Sequence, residues 1–161
     1  MALNAYLKLT GQKSGEINGS NTKKGRIGSI AVIAYDHQVV SPRDPASGLP
    51  TGQRIHHPLL ITKEVDAASP LLWNILCTNE NITEWELRFW QPAQGGNETQ
   101  FYTIILTNAN IASMRMLMPD NKIKETAALK EREEIAFTYQ KIEWRYESGE
   151  ITAGDDWEAR A

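Results

Sequence analysis

The sequence predicts a mainly β domain with one α-helix, and three observations support that fold class. Apolar and polar residues alternate with a period of two through most of the chain, which is the pattern of half-buried strands. Only one stretch, about residues 69–79, combines a helix start with helically spaced apolar side chains. The 161 residues, 41% hydrophobic and 23% charged, have the ordinary composition of one globular domain. We therefore expect a single domain over residues 1–161.

The first half of the chain is predicted to alternate strands with loops. Leu3 to Thr10 alternates apolar with polar residues, which predicts a half-buried first strand. The polar stretch from Gly11 to Arg26 has no periodicity and predicts a loop. Ile27 to Tyr35 is apolar at both parities, which is typical of a strand covered on both sides. Ile55 to Val65 predicts another strand.

Residues Ser41 to Arg54 predict a long irregular loop. Pro42, Pro45 and Pro50 lack a backbone N–H and fix their own φ angles, so this stretch cannot form a regular element. A loop of this length in a compact domain is usually functional or disordered. It fits an arm that reaches a partner, and it equally fits a disordered insertion.

The helix is predicted from a start signal and an apolar face. Ser69 can cap the free N–H groups of the first turn, and Pro70 suits the first helical position. Asn79 to Asn81 is expected to end the helix. Four apolar residues fall on one face: Leu71, Leu72, Ile75 and Leu76.

The second half of the chain returns to strands. Ile82 to Trp90 and Thr99 to Thr107 predict a hairpin, with a turn between them that contains Gly95-Gly96-Asn97. Ile111 to Met118 predicts a further strand. Lys122 to Glu134 has an almost empty apolar face, so we interpret it as a solvated loop or a marginal helical turn.

The end of the chain predicts one long strand and a polar tail. Apolar side chains change parity within this strand, and a β-bulge near Gln140 or Lys141 would return them to one side. The tail from Glu147 to Ala161 is polar apart from Ile151 and Trp157. The residues of the two parities are Ile135, Phe137 and Tyr139, and then Ile142, Trp144 and Tyr146.

No catalytic, cofactor or metal site emerges from the residue types. His56 and His57 are adjacent on a predicted strand, so their side chains point to opposite faces and cannot chelate one metal. We interpret His37, His56 and His57 as surface or interface residues. Cys77 lies among leucines of the predicted helix and is expected to be a buried, unreactive thiol.

The carboxylates give no better candidate for catalysis. Glu84 and Glu86 share a strand face, which fits a solvated polar face better than an acid–base pair. Asp155 and Asp156 form a local acidic pair in the tail, with no pocket predicted around them. Without an acid, base or nucleophile in a recognisable pattern, we expect that the protein is not an enzyme and carries no cofactor.

Charge and apolar runs exclude several kinds of partner. The net charge of −3 argues against a dedicated nucleic-acid binder. No apolar run approaches the ~20 residues of a membrane-spanning helix, so we expect no membrane insertion. The N-terminus lacks the basic start and apolar run of a secretory signal peptide, so we expect synthesis in the cytosol and no export by the general secretory route.

The chain carries surplus extended apolar surface and five tryptophans. Two stacked sheets or a barrel, with the helix covering one side, would bury that surface within one chain. Neighbouring subunits would bury part of it equally well. A small monomeric domain that binds a ligand or a carbohydrate through exposed tryptophans such as Trp90 or Trp157 is a further alternative.

Four segments, in order, resemble the Hcp family, the haemolysin-coregulated proteins of bacterial type VI secretion. The most specific is KEVDAASPLLWNILCTNENI, from Lys63 to Ile82. The others are AYLKLTG near the start, TGQRIHHPLLITKE from Thr51, and IAFTYQKIEWRYESGEITAGDDW from Ile135. The resemblance runs from about Leu3 to Trp157.

The resemblance implies a two-sheet β-barrel with one helix that assembles as a homohexameric ring. Rings of this family stack into a hollow tube that a contractile sheath drives out of the cell behind a spike, and the lumen holds effector proteins. Members are cytoplasmic before firing and are then secreted without a signal peptide. Because this chain stops soon after the last motif, we expect a plain tube subunit without a toxin domain of its own.

Two groups of residues are candidates for assembly roles. The loop from Ser41 to Arg54 is long and otherwise without a role, so we expect it to join one ring to the next. Alternating polar residues on a strand, Glu84, Glu86 and Arg88, are candidates for a lumen-facing or surface face. In the loop the candidate residues are Arg43, Gly48, Thr51, Gln53 and Arg54.

Overall fold

Strands dominate residues 4–157, the part of the chain that this computed structural model describes. One helix, α1, spans Ser69–Thr78, and a short 3-10 turn spans Gln94–Gly96. Leu3 and residues 158–161, which the sequence assigns to the first strand and the polar tail, lie outside the described residues. In chain order the strands are β1 (Asn4–Gly11), β2 (Gly15–Ile17), β3 (Ile30–Val32), β4 (Ala34–Asp36), β5 (Val39–Val40), β6 (Ile55–His56), β7 (Leu59–Glu64), β8 (Ile82–Pro92), β9 (Glu98–Thr107), β10 (Asn110–Leu117), β11 (Arg132–Thr138), β12 (Lys141–Tyr146) and β13 (Ile151–Asp156).

The strands form a large sheet, a smaller sheet and a separate two-stranded pair. The large sheet has seven strands in the order β13-β12-β9-β8-β1-β2, with β3 also paired to β1. The smaller sheet has four strands in the order β10-β11-β7-β4, and β5 pairs with β6. Each of these pairings is antiparallel. The predicted mainly β fold with one helix is confirmed.

The hydrophobic core lies between the two sheets. Leu87 and Ile104 face inward from the large sheet, and Ile61 and Ile135 face inward from the smaller one. Burying each such side chain contributes about 1.5–3 kcal/mol. The core is bridged by aromatic contact as well, since the rings of Trp85 and Phe137 meet edge to face at 5.3 Å.

The predicted strand over Ile27 to Tyr35 is wrong as a single element. The chain leaves the large sheet after Val32 and enters the smaller one at Ala34. Ile30 and Val32 are buried, whereas Ile33 is exposed at the crossing. The two parities therefore reflect two successive sheets, not one strand covered on both sides.

The long last strand with a bulge is wrong for the same reason. β11 belongs to the smaller sheet and β12 to the large one, and the chain crosses between them at Tyr139 and Gln140. The inward side changes because the inner face of the second sheet points the opposite way. Phe137 and Ile142 are accordingly both buried, although their parities differ.

The helix lies where it is predicted, at about residues 69–79, but the prediction of Ser69 as its cap is wrong. Ser69 is its first residue, and Ala68 precedes it without a side-chain cap. The Ser69 hydroxyl turns instead toward Lys63 and Glu133. Asn79 ends the helix in the left-handed conformation with φ 53°, as expected for the end of the helix.

Only part of the predicted apolar helix face is buried. Leu72 and Ile75 are fully buried, but Leu71 is exposed. Cys77 is exposed as well, so the prediction of a buried thiol is wrong. The helix packs against β10 at the edge of the smaller sheet, and that side leaves Cys77 uncovered.

Several segments differ from the prediction in their boundaries, and the strand predicted over Ile55 to Val65 is in fact two, β6 and β7, in different sheets. The loop predicted for Gly11 to Arg26 contains the short strand β2, and the polar tail contains β13, an edge strand of the large sheet. Residues 122–131 form turns and irregular chain, so the loop interpretation holds there. The strand expected from Ile135 begins at Arg132 because its first residues pair with β7.

Candidate assembly surfaces

The long loop is the outer part of a two-stranded arm. β5 pairs with β6, so residues 41–54 connect the two strands of one hairpin. Further out, Arg43 and Pro50 form an isolated antiparallel bridge. We call residues 39–56 the arm.

The tip of the arm is ordered by its own hydrogen bonds. The Asp44 N–H donates to the Leu49 carbonyl, and the Gly48 N–H donates to the Asp44 carbonyl, both at 2.8 Å. The Ser47 hydroxyl donates to the Asp44 carboxylate at 2.6 Å, and this bond lowers the pKa of Asp44. Leu49 remains 65% exposed. The tip therefore presents an apolar side chain on a structured turn.

The base of the arm is tied to the last strand of the large sheet. Arg54 forms two hydrogen bonds with the Asp155 carboxylate, at 2.8 and 3.0 Å, and a third with the Asp156 carbonyl at 2.8 Å. The Arg54 guanidinium, helped by His56, lowers the pKa of Asp155. The prediction of no pocket around the acidic pair is wrong, because Asp155 and Asp156 line an open cavity of about 360 Å³ and Arg54 of the arm pairs with Asp155.

The structure separates the five loop candidates into two groups. Arg43, Gly48, Thr51 and Gln53 are exposed on the outer part of the arm. Arg54 is half-buried at its base, in the ion pair with Asp155 of the same chain. The arm therefore offers Arg43 as its outward cation.

The second candidate face lies on the outer side of the large sheet. Glu84 is exposed, and Glu86 and Arg88 are half-buried, with a distance of 2.9 Å from Arg88 Nη2 to Glu86 Oε2. Lys8 on β1 is directly opposite Glu86 on β8. An open cavity of about 280 Å³ lies between this face and β2. We call Lys8, Glu84, Glu86 and Arg88 the polar face.

The two tryptophans named for ligand binding are engaged within the chain. The Arg26 guanidinium lies 4.0 Å from the centre of the Trp90 ring and covers it. The Trp157 indole N–H donates to the Tyr139 carbonyl, and its ring lies 5.8 Å from that of His56. Both tryptophan rings are therefore in contact with other side chains of the same chain.

Sequence reasoning missed a chain of hydrogen bonds at the base of the arm. Tyr139 Oη lies 2.7 Å from His37 Nε2 and 2.7 Å from His56 Nδ1. His56 Nε2 lies 2.7 Å from Asp155 Oδ2. The sequence carries no signal for this cluster, because Tyr139 and Asp155 lie 83 and 99 positions from His56.

Residues 4–157 contain neither a cluster of metal-binding side chains nor a membrane-spanning helix. No group of three or more His, Cys, Asp or Glu side chains in that range could hold a metal ion. No helix in the same range has the length and apolar character that crossing a membrane requires.

Comparison with known proteins identifies the family. The family model described as "Type VI secretion system effector, Hcp" matches residues 6–146, which is most of the chain. The chain belongs to the Hcp family. Hcp proteins are structural proteins of type VI secretion that form ring assemblies, and the role of this chain is that of a tube subunit.

Relatives and solved structures agree with the family model over nearly the full length. The "Major exported protein" of Pseudomonas aeruginosa strain PAO1 is 36% identical over 166 residues, covering 98% of this chain and 96% of the relative. A double mutant of Hcp1 from the E. coli EAEC 042 pathovar is 31% identical, with a TM-score of 0.86 over 97% of this chain and 99% of the other. The secreted protein Hcp3 of Pseudomonas aeruginosa is 28% identical, with a TM-score of 0.79 over 98% and 100%.

Proposed function

We propose that this chain assembles as a homohexameric ring, and that the rings stack into a hollow tube that carries effector proteins during export. The observation that carries this proposal is the family match over residues 6–146. The surface supports it, because large apolar side chains stay exposed on elements far apart in the chain. Among residues 4–157, four of them are more than 60% exposed: Ile27, Leu49, Met118 and Ile151. A closed ring uses two different patches on each subunit, and such residues are suited to burial there.

The arm is our candidate for the contact between rings. It combines exposed Arg43 with exposed Leu49 on a tip ordered by hydrogen bonds. A pre-ordered tip loses little conformational entropy when it docks, which favours binding. Gly48, Thr51 and Gln53 lie beside these two residues and would share the contact, while Arg54 holds the base.

The polar face is our candidate for a lumen-facing or outward surface of the tube. Its charges are paired or solvated, so it suits contact with water and with polar cargo rather than burial between subunits. A labelling experiment determines whether the polar face lines the lumen or the outside of the tube. In a Cys77→Ser background, Glu84→Cys in assembled tubes should react with a small maleimide but not with a maleimide on a polymer too large for the lumen.

The labelling experiment has one reference and one outcome that would contradict a lumen-facing position. The same variant as dissociated subunits, in which position 84 is exposed, serves as the reference for reactivity with both reagents. Reaction of Glu84→Cys with the large reagent at the rate of the small one would place the polar face on the outside of the tube.

Sheath, spike and effector proteins are the partners that this role requires. The work is mechanical and steric, so we propose no catalytic residue, metal or cofactor. The chain would be made in the cytoplasm and exported by the type VI machine without a signal peptide. Export of the Pseudomonas relative, as its name states, supports secretion of this chain.

The mass in solution tests the ring directly. Six copies of the 18.1 kDa chain give about 109 kDa, the mass expected from light scattering behind a sizing column at low micromolar concentration. Negative-stain images of the same sample should then show rings and stacks. An 18.1 kDa monomer that never assembles, even when concentrated, would overturn the proposal and favour a small ligand-binding domain.

A further inference from the structure

We propose that the hydrogen-bond chain at the base of the arm is an acid-sensitive latch, which holds the arm against the body and opens when it takes up a second proton. The latch consists of His37, Tyr139, His56 and Asp155. It connects the two ends of the arm to the crossing between the sheets and to β13. Its effect on ring stacking rests on the proposed role of the arm, but its opening is measured on the arm itself.

Burial and charge determine which atoms of Asp155, His56 and Tyr139 donate hydrogen bonds and which accept them. The Asp155 carboxylate is paired with Arg54 and is ionised, so it can only accept hydrogen bonds. His56 Nε2 must therefore be the donor to Asp155. Burial raises the pKa of Tyr139, so its phenol stays protonated with one hydrogen to donate.

With one hydrogen on each imidazole, the remaining hydrogens have one consistent arrangement. A neutral His56 that donates from Nε2 accepts at Nδ1, so the Tyr139 hydroxyl donates to it. The Tyr139 oxygen is then free to accept from His37 Nε2. Each of the three contacts is then one donor–acceptor pair, and these three hydrogen bonds add to the three by which Arg54 holds the base of the arm.

One additional proton can be accommodated. If His56 becomes an imidazolium, its Nδ1–H donates to the Tyr139 oxygen, and the hydroxyl rotates to donate to His37 Nε2. If His37 takes the proton instead, the neutral arrangement is unchanged. In either case all three hydrogen bonds persist.

A second proton cannot be accommodated. With both histidines charged, two N–H groups point at the Tyr139 oxygen, and its own buried hydrogen has no acceptor among these groups. Leaving such a donor unpaired is costly, and two cations then face each other across one oxygen. His56 and Tyr139 are buried, so water cannot readily relieve this conflict.

The charged groups around the two histidines determine whether the latch weakens or strengthens as the pH falls. Arg54 and Asp155 are the charged groups on the His56 side, and Asp36 and His57 lie on the His37 side. Burial, together with the charge of His56, lowers the pKa of His37 from its ordinary 6.5. The open arm therefore binds the second proton more readily than the closed arm, so the latch weakens as the pH falls below about 6.5.

Hydrogen exchange of the arm tests this latch. Protection factors for amides in residues 39–57 are measured by mass spectrometry at about pH 7.5 and about pH 5.5, on either side of the ordinary histidine value. The β8–β9 hairpin serves as the internal reference. We expect the wild-type arm to lose several-fold protection at the lower pH, up to a ceiling of about tenfold for one group whose pKa in the open arm is the ordinary 6.5. The reference hairpin should not change.

Three variants separate the latch from other effects of acid. His37→Gln keeps a donor for the Tyr139 oxygen but removes the second proton site, so its arm should stay protected at both pH values. Tyr139→Phe removes the central hydroxyl and should leave the arm poorly protected at both. His57→Gln changes an exposed neighbour that contributes least to the lowered pKa of His37, so it should keep most of the wild-type response.

Several results would overturn the latch. They are a wild-type arm insensitive to pH, a His37→Gln arm as sensitive as wild type, or a Tyr139→Phe arm as protected as wild type at about pH 7.5. Light scattering on the same samples keeps the two proposals distinct. A monomer at both pH values would contradict the ring, whereas the exchange data would still decide the latch.

Discussion

Lys63 and Glu133 form an ion pair sealed inside the protein, with Nζ 2.8 Å from Oε1 and side chains only 0% and 1% exposed. Asp66 lies 2.9 Å from the same ammonium. The Ser69 hydroxyl bonds both partners, and the Trp73 indole N–H donates to Glu133 at 2.7 Å. Because these residues come from β7, β11 and the start of α1, the pair attaches the helix to the smaller sheet.

Removing one partner of this pair should strongly destabilise the fold. Lys63→Met leaves the Glu133 carboxylate buried without its cation, and we expect a loss of about 3–5 kcal/mol in the free energy of unfolding. Urea denaturation measures it. The control is Lys130→Met, since Lys130 is 77% exposed and lies 4.0 Å from Glu64. That change should cost less than ~1 kcal/mol, and equal losses for the two variants would contradict a special role for burial.

The same pair should make stability depend on acid. Burial opposes ionisation of Glu133, but hydrogen bonds from Lys63, Ser69 and Trp73 prevail and lower the pKa of Glu133 below its ordinary 4.5. The unfolded chain then binds this proton more readily. The contribution is therefore complete above about pH 4.5 and is lost as the pH falls further.

Glu133→Gln should accordingly flatten the acid limb of the stability curve. Urea unfolding between about pH 5 and about pH 3 should show a smaller loss for this variant than for wild type, although the variant is less stable at neutral pH. Glu134→Gln, at the exposed neighbouring position, is the control and should keep the wild-type slope. Parallel curves for Glu133→Gln and wild type would exclude this source of acid sensitivity.

Stacking by a planar cation should anchor the loop before β3. Arg26 lies 4.0 Å from the Trp90 ring centre and 5.1 Å from that of Tyr6, and it pairs with Glu98. Arg26→Lys keeps the charge but removes the planar guanidinium that stacks on the ring. We therefore expect the free energy of unfolding, measured by thermal denaturation, to fall by about 1–2 kcal/mol. Lys23→Ala removes a half-exposed partner of Glu98 and should cost ~1 kcal/mol or less. An unchanged stability of Arg26→Lys would show that charge alone is sufficient.

Local patterns predicted which residues enter the core but not which sheet they belong to. Ile30 and Val32 point inward from one sheet, and Tyr35 points inward from the other, so the inward positions shift by three residues at the crossing. Tyr139 and Ile142 show the same shift. A period of two describes one strand, and nothing in it records a change of sheet.

The missed elements and the missed cluster depend on long-range contacts. β13 is almost entirely exposed and has only Ile151 as a large apolar residue, so its strand form comes from pairing with β12. Arg54 is a candidate for the contact between rings, and the sequence does not predict that Asp155, far along the chain, pairs with it at the base of the arm. Sequence spacing cannot predict such pairs, because the fold alone brings them together.

Replacing the outer arm should separate ring formation from stacking. If residues 41–52 are exchanged for a short Gly/Ser linker, Arg54 and the latch remain, while the ordered tip with Arg43 and Leu49 is lost. We expect rings of about 109 kDa, six times 18.1 kDa, that no longer form tubes in negative-stain images. Tubes that still polymerise would show that another surface stacks the rings.

A single methyl group at the tip should produce a milder form of that defect. Gly48 has φ +74°, a conformation that costs an L-residue about 1 kcal/mol, so Gly48→Ala should loosen the turn that presents Leu49. Gly52→Ala is the matched control, because Gly52 has no such φ and a Cβ there also meets open space. Tube length in electron micrographs should fall for Gly48→Ala and stay at the wild-type value for Gly52→Ala, with rings intact in both. Equal lengths for the two variants would mean that stacking tolerates a disordered tip, and the order of the arm would then serve its attachment at the base alone.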